Sequence, residues 1–124
     1  MSKDIEHLED IQLLVNTFYG RVQQDDLIGP LFNERLEGKW DMHLEKMYAF
    51  WQTVLLEEHT YSGRPFPPHA QLPVDASHFE RWKSIFNQTV DELFEGKIAA
   101  DAKWRAERMA TLFLSKIEYF RGER

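Results

Sequence analysis

Five histidines and no cysteine define the chemistry open to this chain of 124 residues. Without thiols there is no disulfide, no thiolate nucleophile and no sulfur-based metal site. Imidazole is then the group best suited to ligate a metal or to exchange a proton near neutral pH. His43 lies in the stretch Trp40-Asp-Met-His-Leu-Glu-Lys-Met-Tyr-Ala-Phe-Trp51. There Trp40, His43, Leu44, Met47, Phe50, Trp51, Val54 and Leu55 recur at the spacing of one helical face. A core histidine bonded to a backbone carbonyl fits that place, and so does one held over a cavity whose contents an imidazole can address. His69 follows Pro67 and Pro68, with Leu72 and Pro73 soon after. A metal ligand on so restrained a backbone loses little ordering entropy on binding, although a solvated loop histidine has the same surroundings.

The other three histidines have simpler readings. His7 falls on the polar side of an N-terminal helix and is expected to be solvated. His59, at the end of the striped helix, offsets the negative dipole there. His78 stands near the start of the next helix, as a capping or packing residue. No HExxH occurs and no two histidines stand at i, i+4, so the zinc patterns are missing.

These residues are placed by a run of helices and one long loop. From Asp4 to about Gln24, the residues Ile5, Leu8, Ile11, Leu14, Val15, Phe18 and Val22 keep helical spacing, with Tyr19 beside Phe18. Gly20 leaves open whether this is one helix or two pieces. Asp25 to Trp40, with Gly29, Pro30 and Gly38, reads as a compact corner with at most a short helical turn, turning Leu27, Ile28, Leu31 and Phe32 inward. The striped helix follows from about Asp41 to His59. Four prolines in nine residues, Pro65 to Pro73, then exclude a long helix. A new helix is expected near Ser77, capped by Ser77 with Glu80 or by Asp75. Its face reads Phe79, Trp82, Phe86, Val90, Leu93 and Phe94, and Gly96 closes it. The last helix, from about Ala99 to Phe120, buries Ala106, Met109, Ala110, Phe113, Ile117 and Phe120. No segment shows a strand pattern, so the fold is all-α, with one helical pair crossing another. A proline-rich loop of this length inside a single domain, residues 1–124, is usually functional.

Composition removes several classes of partner. A formal charge of −6 without a basic cluster argues against nucleic acid. No apolar run approaches the roughly 20 residues of a membrane span, and the start does not read as a signal peptide. A reducing, cytoplasmic setting is expected. An aromatic share of 14 %, from nine Phe, four Trp and four Tyr, is more than a small helical core needs.

In order and spacing, "FYGRV", "IGPLF", "WDMHLEKMYAFW", "YSGRP", the segment from His69 to "HFERW" and "TVDELFEG" together resemble the truncated haemoglobins of the third group. The resemblance covers almost the whole chain, and the glycine pairs of the other groups are missing. It implies a globin-like two-over-two helical sandwich around a haem, here haem b (iron protoporphyrin IX). By resemblance His69 takes the proximal position and ligates the iron. Tyr19, His43 and Trp82 take distal positions, and Phe32 packs on the porphyrin at the corner. His78 is the competing imidazole, but it falls in a helical first turn whose apolar face it only borders.

The physical reading agrees with what the resemblance implies. A porphyrin is a flat apolar disc with a charged edge and wants a crevice of rings and aliphatics, which Phe32, Met47, Phe50, Phe79, Trp82 and Phe86 supply. Iron with one imidazole leaves its sixth position to dioxygen, carbon monoxide, nitric oxide or a similar ligand. Such a ligand gains negative character, so the Tyr19 hydroxyl and the Trp82 indole N–H would each contribute roughly 1.5–3 kcal/mol as donors. Lys46 borders the stripe, where it either meets a haem propionate or stays in solvent. Two haem functions are open: reversible ligand binding for storage, delivery or sensing, and redox catalysis such as nitric oxide dioxygenation or peroxide reduction with an unidentified reductase. A third reading is a helical interaction module whose rings are only core.

Overall fold

The computed structural model describes residues 3–58, 61 and 73–122. Among the described residues five helices follow one another: α1 (Leu8–Gln24), α2 (Gly29–Arg35), α3 (Trp40–Leu56), α4 (Ala76–Leu93) and α5 (Lys97–Phe120). Helix α1 packs against α2, α3 and α4, and α4 also packs against α5. The buried faces of α1 (Ile11, Leu14, Val15, Phe18, Val22), α3 (Trp51, Leu55) and α4 (Phe86, Val90) meet in one core. None of the helices described is long and apolar enough to cross a membrane.

Helix α1 starts at Leu8, four residues later than its periodicity predicts, because the Asp4 carboxylate takes the Ile5 N–H at 2.8 Å and Asp10 takes the next two. Asp10 accepts from the N–H groups of Glu6 at 2.9 Å and His7 at 3.0 Å, and from Lys3 Nζ at 3.0 Å. His7 is therefore the N-cap residue, and Leu8 turns outward, 36 % exposed. Gly20 does not interrupt the helix, which is a single piece.

Asp4 acts at long range. Its carboxylate accepts from the N–H groups of Ile98 at 3.0 Å and Ala99 at 2.8 Å, both in the first turn of α5. These donors have no partner inside a helix, so Asp4 supplies the side-chain cap that α5 lacks locally. Glu95 N–H donates to the Lys3 carbonyl at 2.9 Å and keeps the two segments alongside each other. Gly96 is the N-cap of α5 rather than the residue that closes α4; its φ is +138°, and a Cβ there would lie 2.6 Å from Asp4 Cγ. Only glycine suits both conditions.

The corner holds a seven-residue helix, α2, a little more than the single turn expected. Asp25 accepts from the N–H groups of Leu27 and Ile28 at 3.0 Å each, which sets up the turn. Gly29 lets the corner sit tight on α1, since a Cβ would come within 2.9 Å of the Val22 carbonyl oxygen. Helix α3 ends at Leu56, and Glu57 takes a left-handed φ of 59°. His59, the residue expected to end it, lies outside the described residues.

Helix α4 is capped by Asp75, not by Ser77 with Glu80. Asp75 accepts from Ser77 N–H at 2.9 Å, while its own N–H donates to His78 Nδ1 at 3.0 Å. In α5 the small residues Ala99, Ala102, Ala106 and Ala110 are buried together with Phe113 and Ile117. Phe120, expected inside, is 67 % exposed because the core ends before the last turn of α5. Arg21 ties α1 to α4 by donating to Thr89 Oγ1 at 3.1 Å and to the Glu92 carboxylate.

Candidate functional site

Phe18 and Tyr19 are neighbours in α1, so helical geometry turns their side chains about 100° apart. One ring enters the core and the other faces α3. The Phe18 ring meets Trp82 at 5.5 Å and Phe86 at 5.2 Å, both edge-on. Phe86 is stacked between Trp82 at 5.6 Å and Trp51 at 5.1 Å. Phe50 extends this group, edge-on to Trp51 and to Tyr61. The Tyr19 ring joins a second group made of Phe32, Trp40 and His43. Contact between Phe18 and Tyr19 at 4.7 Å links the two groups.

The structure thus brings together most of the residues singled out in the sequence. Tyr19, His43 and Phe32 converge from α1, α3 and α2, while Phe50, Trp82 and Phe86 share the neighbouring ring stack. Met47 is half-buried against the same core. Phe79 stands apart: it is half-buried in α4 but is not among the described residues packed on the core. Lys46 is exposed beside the stripe. His69 lies outside the described residues. His78 Nδ1 is committed to the cap of α4, receiving Asp75 N–H and standing 3.1 Å from Asp75 Oδ1.

Trp40, Trp51 and Phe18 are ring partners to which sequence reasoning assigned no role at the site. Trp40 was the most accessible of them, because it stands three positions before His43 on the same stripe.

The electrostatics single out Tyr19. It is 6 % exposed, and burial pushes its phenol above the ordinary tyrosine value with no opposing hydrogen bond among the described residues. The hydroxyl therefore stays protonated and can donate. His43 adds a half-buried imidazole whose Nε2 is buried. On the same face of α3, Leu44, Met47 and Val54 are only half-buried whereas Phe50, Trp51 and Leu55 are buried. A wall of rings and aliphatics carrying one phenol and one imidazole fits a flat apolar group whose bound ligand accepts hydrogen bonds. Haem is such a group.

Comparison with known proteins places the chain in a family. The family described as bacterial-like globin matches residues 4–114. The chain is 29 % identical over 118 residues to the group 3 truncated haemoglobin of Campylobacter jejuni, covering 92 % of this chain and 93 % of that protein. The crystal structure of group III truncated haemoglobin from Campylobacter jejuni superposes with a TM-score of 0.84 at 28 % identity, over 94 % of this chain and 95 % of that one. The fold is accordingly the globin-like two-over-two sandwich that the sequence resemblance implied. A match that begins at the α5 clamp residue Asp4 and runs through α1 to α4 into α5 leaves one conclusion: the chain belongs to the bacterial-like globin family.

Proposed function

We propose that this protein holds haem b with His69 as the iron ligand and admits a diatomic ligand to a distal pocket formed by Tyr19, His43 and Trp82. Membership of the globin family carries the coarser part, a haem globin that binds small ligands. Haem supplies an iron with one position open to dioxygen, carbon monoxide or nitric oxide. The chain does the rest. Phe32, Met47, Phe50, Phe79, Trp82 and Phe86 give the disc apolar contact and keep water out. Tyr19 directs a neutral O–H at the ligand, and burial pushes its pKa further above the ordinary tyrosine value. The Trp82 indole N–H is the second donor. His43 stands against Tyr19 and controls access to it.

The observation that carries this reading is the buried Tyr19 ring meeting the His43 imidazole edge to face, which sets a phenol and an imidazole side by side within a group of aromatic rings. Several polar groups around one ligand also slow its release and favour haem redox chemistry; turnover of nitric oxide or peroxide with a cellular reductant separates that use from reversible binding. The primary test is the absorption spectrum of the protein as purified, oxidised, reduced, and reduced under carbon monoxide. A histidine-ligated haem spectrum with a carbon monoxide shift is expected. A colourless protein that takes up no added haem ends the reading.

A further inference from the structure

Trp40 is given no part in the scheme above, yet its ring touches both distal residues. Its centroid lies 6.0 Å from that of His43 at 85° and 6.0 Å from that of Tyr19 at 64°. Tyr19 and His43 are themselves 4.9 Å apart at 87°. Each of the three rings therefore meets the other two. Edge-to-face contacts of this kind are attractive and directional, because the positive rim of one ring meets the negative face of another.

The position of Trp40 in the chain matters as much as its contacts. It is the first residue of α3, preceded by Lys39, which gives no side-chain cap. The first turn closes through His43 N–H to the Lys39 carbonyl at 3.0 Å. Trp40 and His43 are thus one helical turn apart, and the indole is held at a fixed offset from the His43 Cα. Rotation of the imidazole about its χ1 toward solvent breaks its contacts with Trp40 and Tyr19 together.

We infer that Trp40 is a positioning residue that holds the His43 imidazole against Tyr19 and so sets how often the distal pocket opens. The inference rests on the proposed function and deepens it: the indole limits ligand admission without touching the ligand.

The test is laser photolysis of the carbon monoxide complex in Trp40→Leu, Trp40→Phe and Trp40→Leu/His43→Leu. Trp40→Leu should raise the association rate about threefold to tenfold, the factor equivalent to losing one edge-to-face contact, while oxygen dissociation stays within about twofold. Trp40→Phe keeps an aromatic edge and should stay near the wild-type rate. The double variant should match His43→Leu alone, because Trp40 then has nothing to hold. A second readout is the imidazole nitrogen NMR spectrum of His43 in the protein as purified: one sharp set of signals in wild type and Trp40→Phe, averaged or doubled signals in Trp40→Leu. Unchanged association and an unchanged imidazole spectrum in Trp40→Leu overturn the inference, as does an effect that adds to that of His43→Leu. Failure of the functional reading appears separately, as the absence of a haem spectrum in wild type, and the imidazole spectrum then decides the Trp40 question alone.

Discussion

The edge of one ring meets the face of the other where Tyr19 touches His43, with centroids 4.9 Å apart and planes at 87°. Helices α1 and α3 thereby deliver a hydroxyl and an imidazole to one spot. The two groups have different chemistry, and substitutions at them should separate ligand release from ligand admission.

Tyr19→Phe removes the hydroxyl with almost no change in volume. Oxygen dissociation should speed up roughly ten- to hundredfold, the equivalent of losing a charge-assisted hydrogen bond. Stopped-flow displacement measures it, and a rate within twofold of wild type would leave Tyr19 out of ligand binding. The same variant has a pH signature. Burial raises the Tyr19 pKa, so its contribution is complete below the unfolded value of about 10 and is lost as pH rises toward the folded one. The stability of Tyr19→Phe should therefore fall less between neutral and strongly alkaline pH than that of wild type.

His43→Leu should change the carbon monoxide association rate and leave oxygen dissociation within about twofold, as expected of a gate. Dissociation that accelerates as much as in Tyr19→Phe would make His43 a donor instead.

His69→Gly should abolish stable haem retention, with partial recovery in added imidazole. His78→Ala should keep the wild-type absorption spectrum while losing about 1 kcal/mol of stability, the usual cost of a helix cap. Haem lost in His78→Ala and retained in His69→Gly would reverse the assignment.

Asp4→Asn tests the long-range cap. Burial acts to raise the Asp4 pKa, but the N–H groups of Ile98, Ala99 and Ile5 outweigh it, and the carboxyl sits below its ordinary value. Its contribution is then complete above the unfolded pKa of about 4 and is lost as pH falls through the lower folded one. The variant should lose about 1–2 kcal/mol at neutral pH and show a smaller acid-induced decline, measured by denaturant unfolding at several pH values. Gly96→Ala should cost more, roughly 1–3 kcal/mol, from the positive φ and the collision with Asp4.

The helices were legible because periodicity is a local signal. The stripe from Trp40 to Leu55 and the face from Ile11 to Val22 follow from spacing alone. The caps were harder to read. The box at α4 uses His78 Nδ1 as acceptor where the usual pattern expects Glu or Gln. Gly96 suits the end of one helix and the start of the next equally well, since a positive φ serves either. Nothing within a few residues of Lys97 discloses that Asp4 caps α5, because that pairing depends on how the finished helices pack. At the site, Tyr19 and His43 gained roles through resemblance, and their contact needed three dimensions. Trp40 was visible as part of the stripe, but its meeting with Tyr19 depends on where α1 passes.

The Asp4 clamp also orders events in time. Its acceptor lies near the beginning of the chain, and its donors come 94 and 95 positions later. During synthesis α1, α2 and α3 leave the ribosome well before the first turn of α5. Closing so long a loop costs conformational entropy that only the last helix can repay. The clamp is a latch across the whole chain: it holds only when the first turn of α5 lies beside the segment that precedes α1.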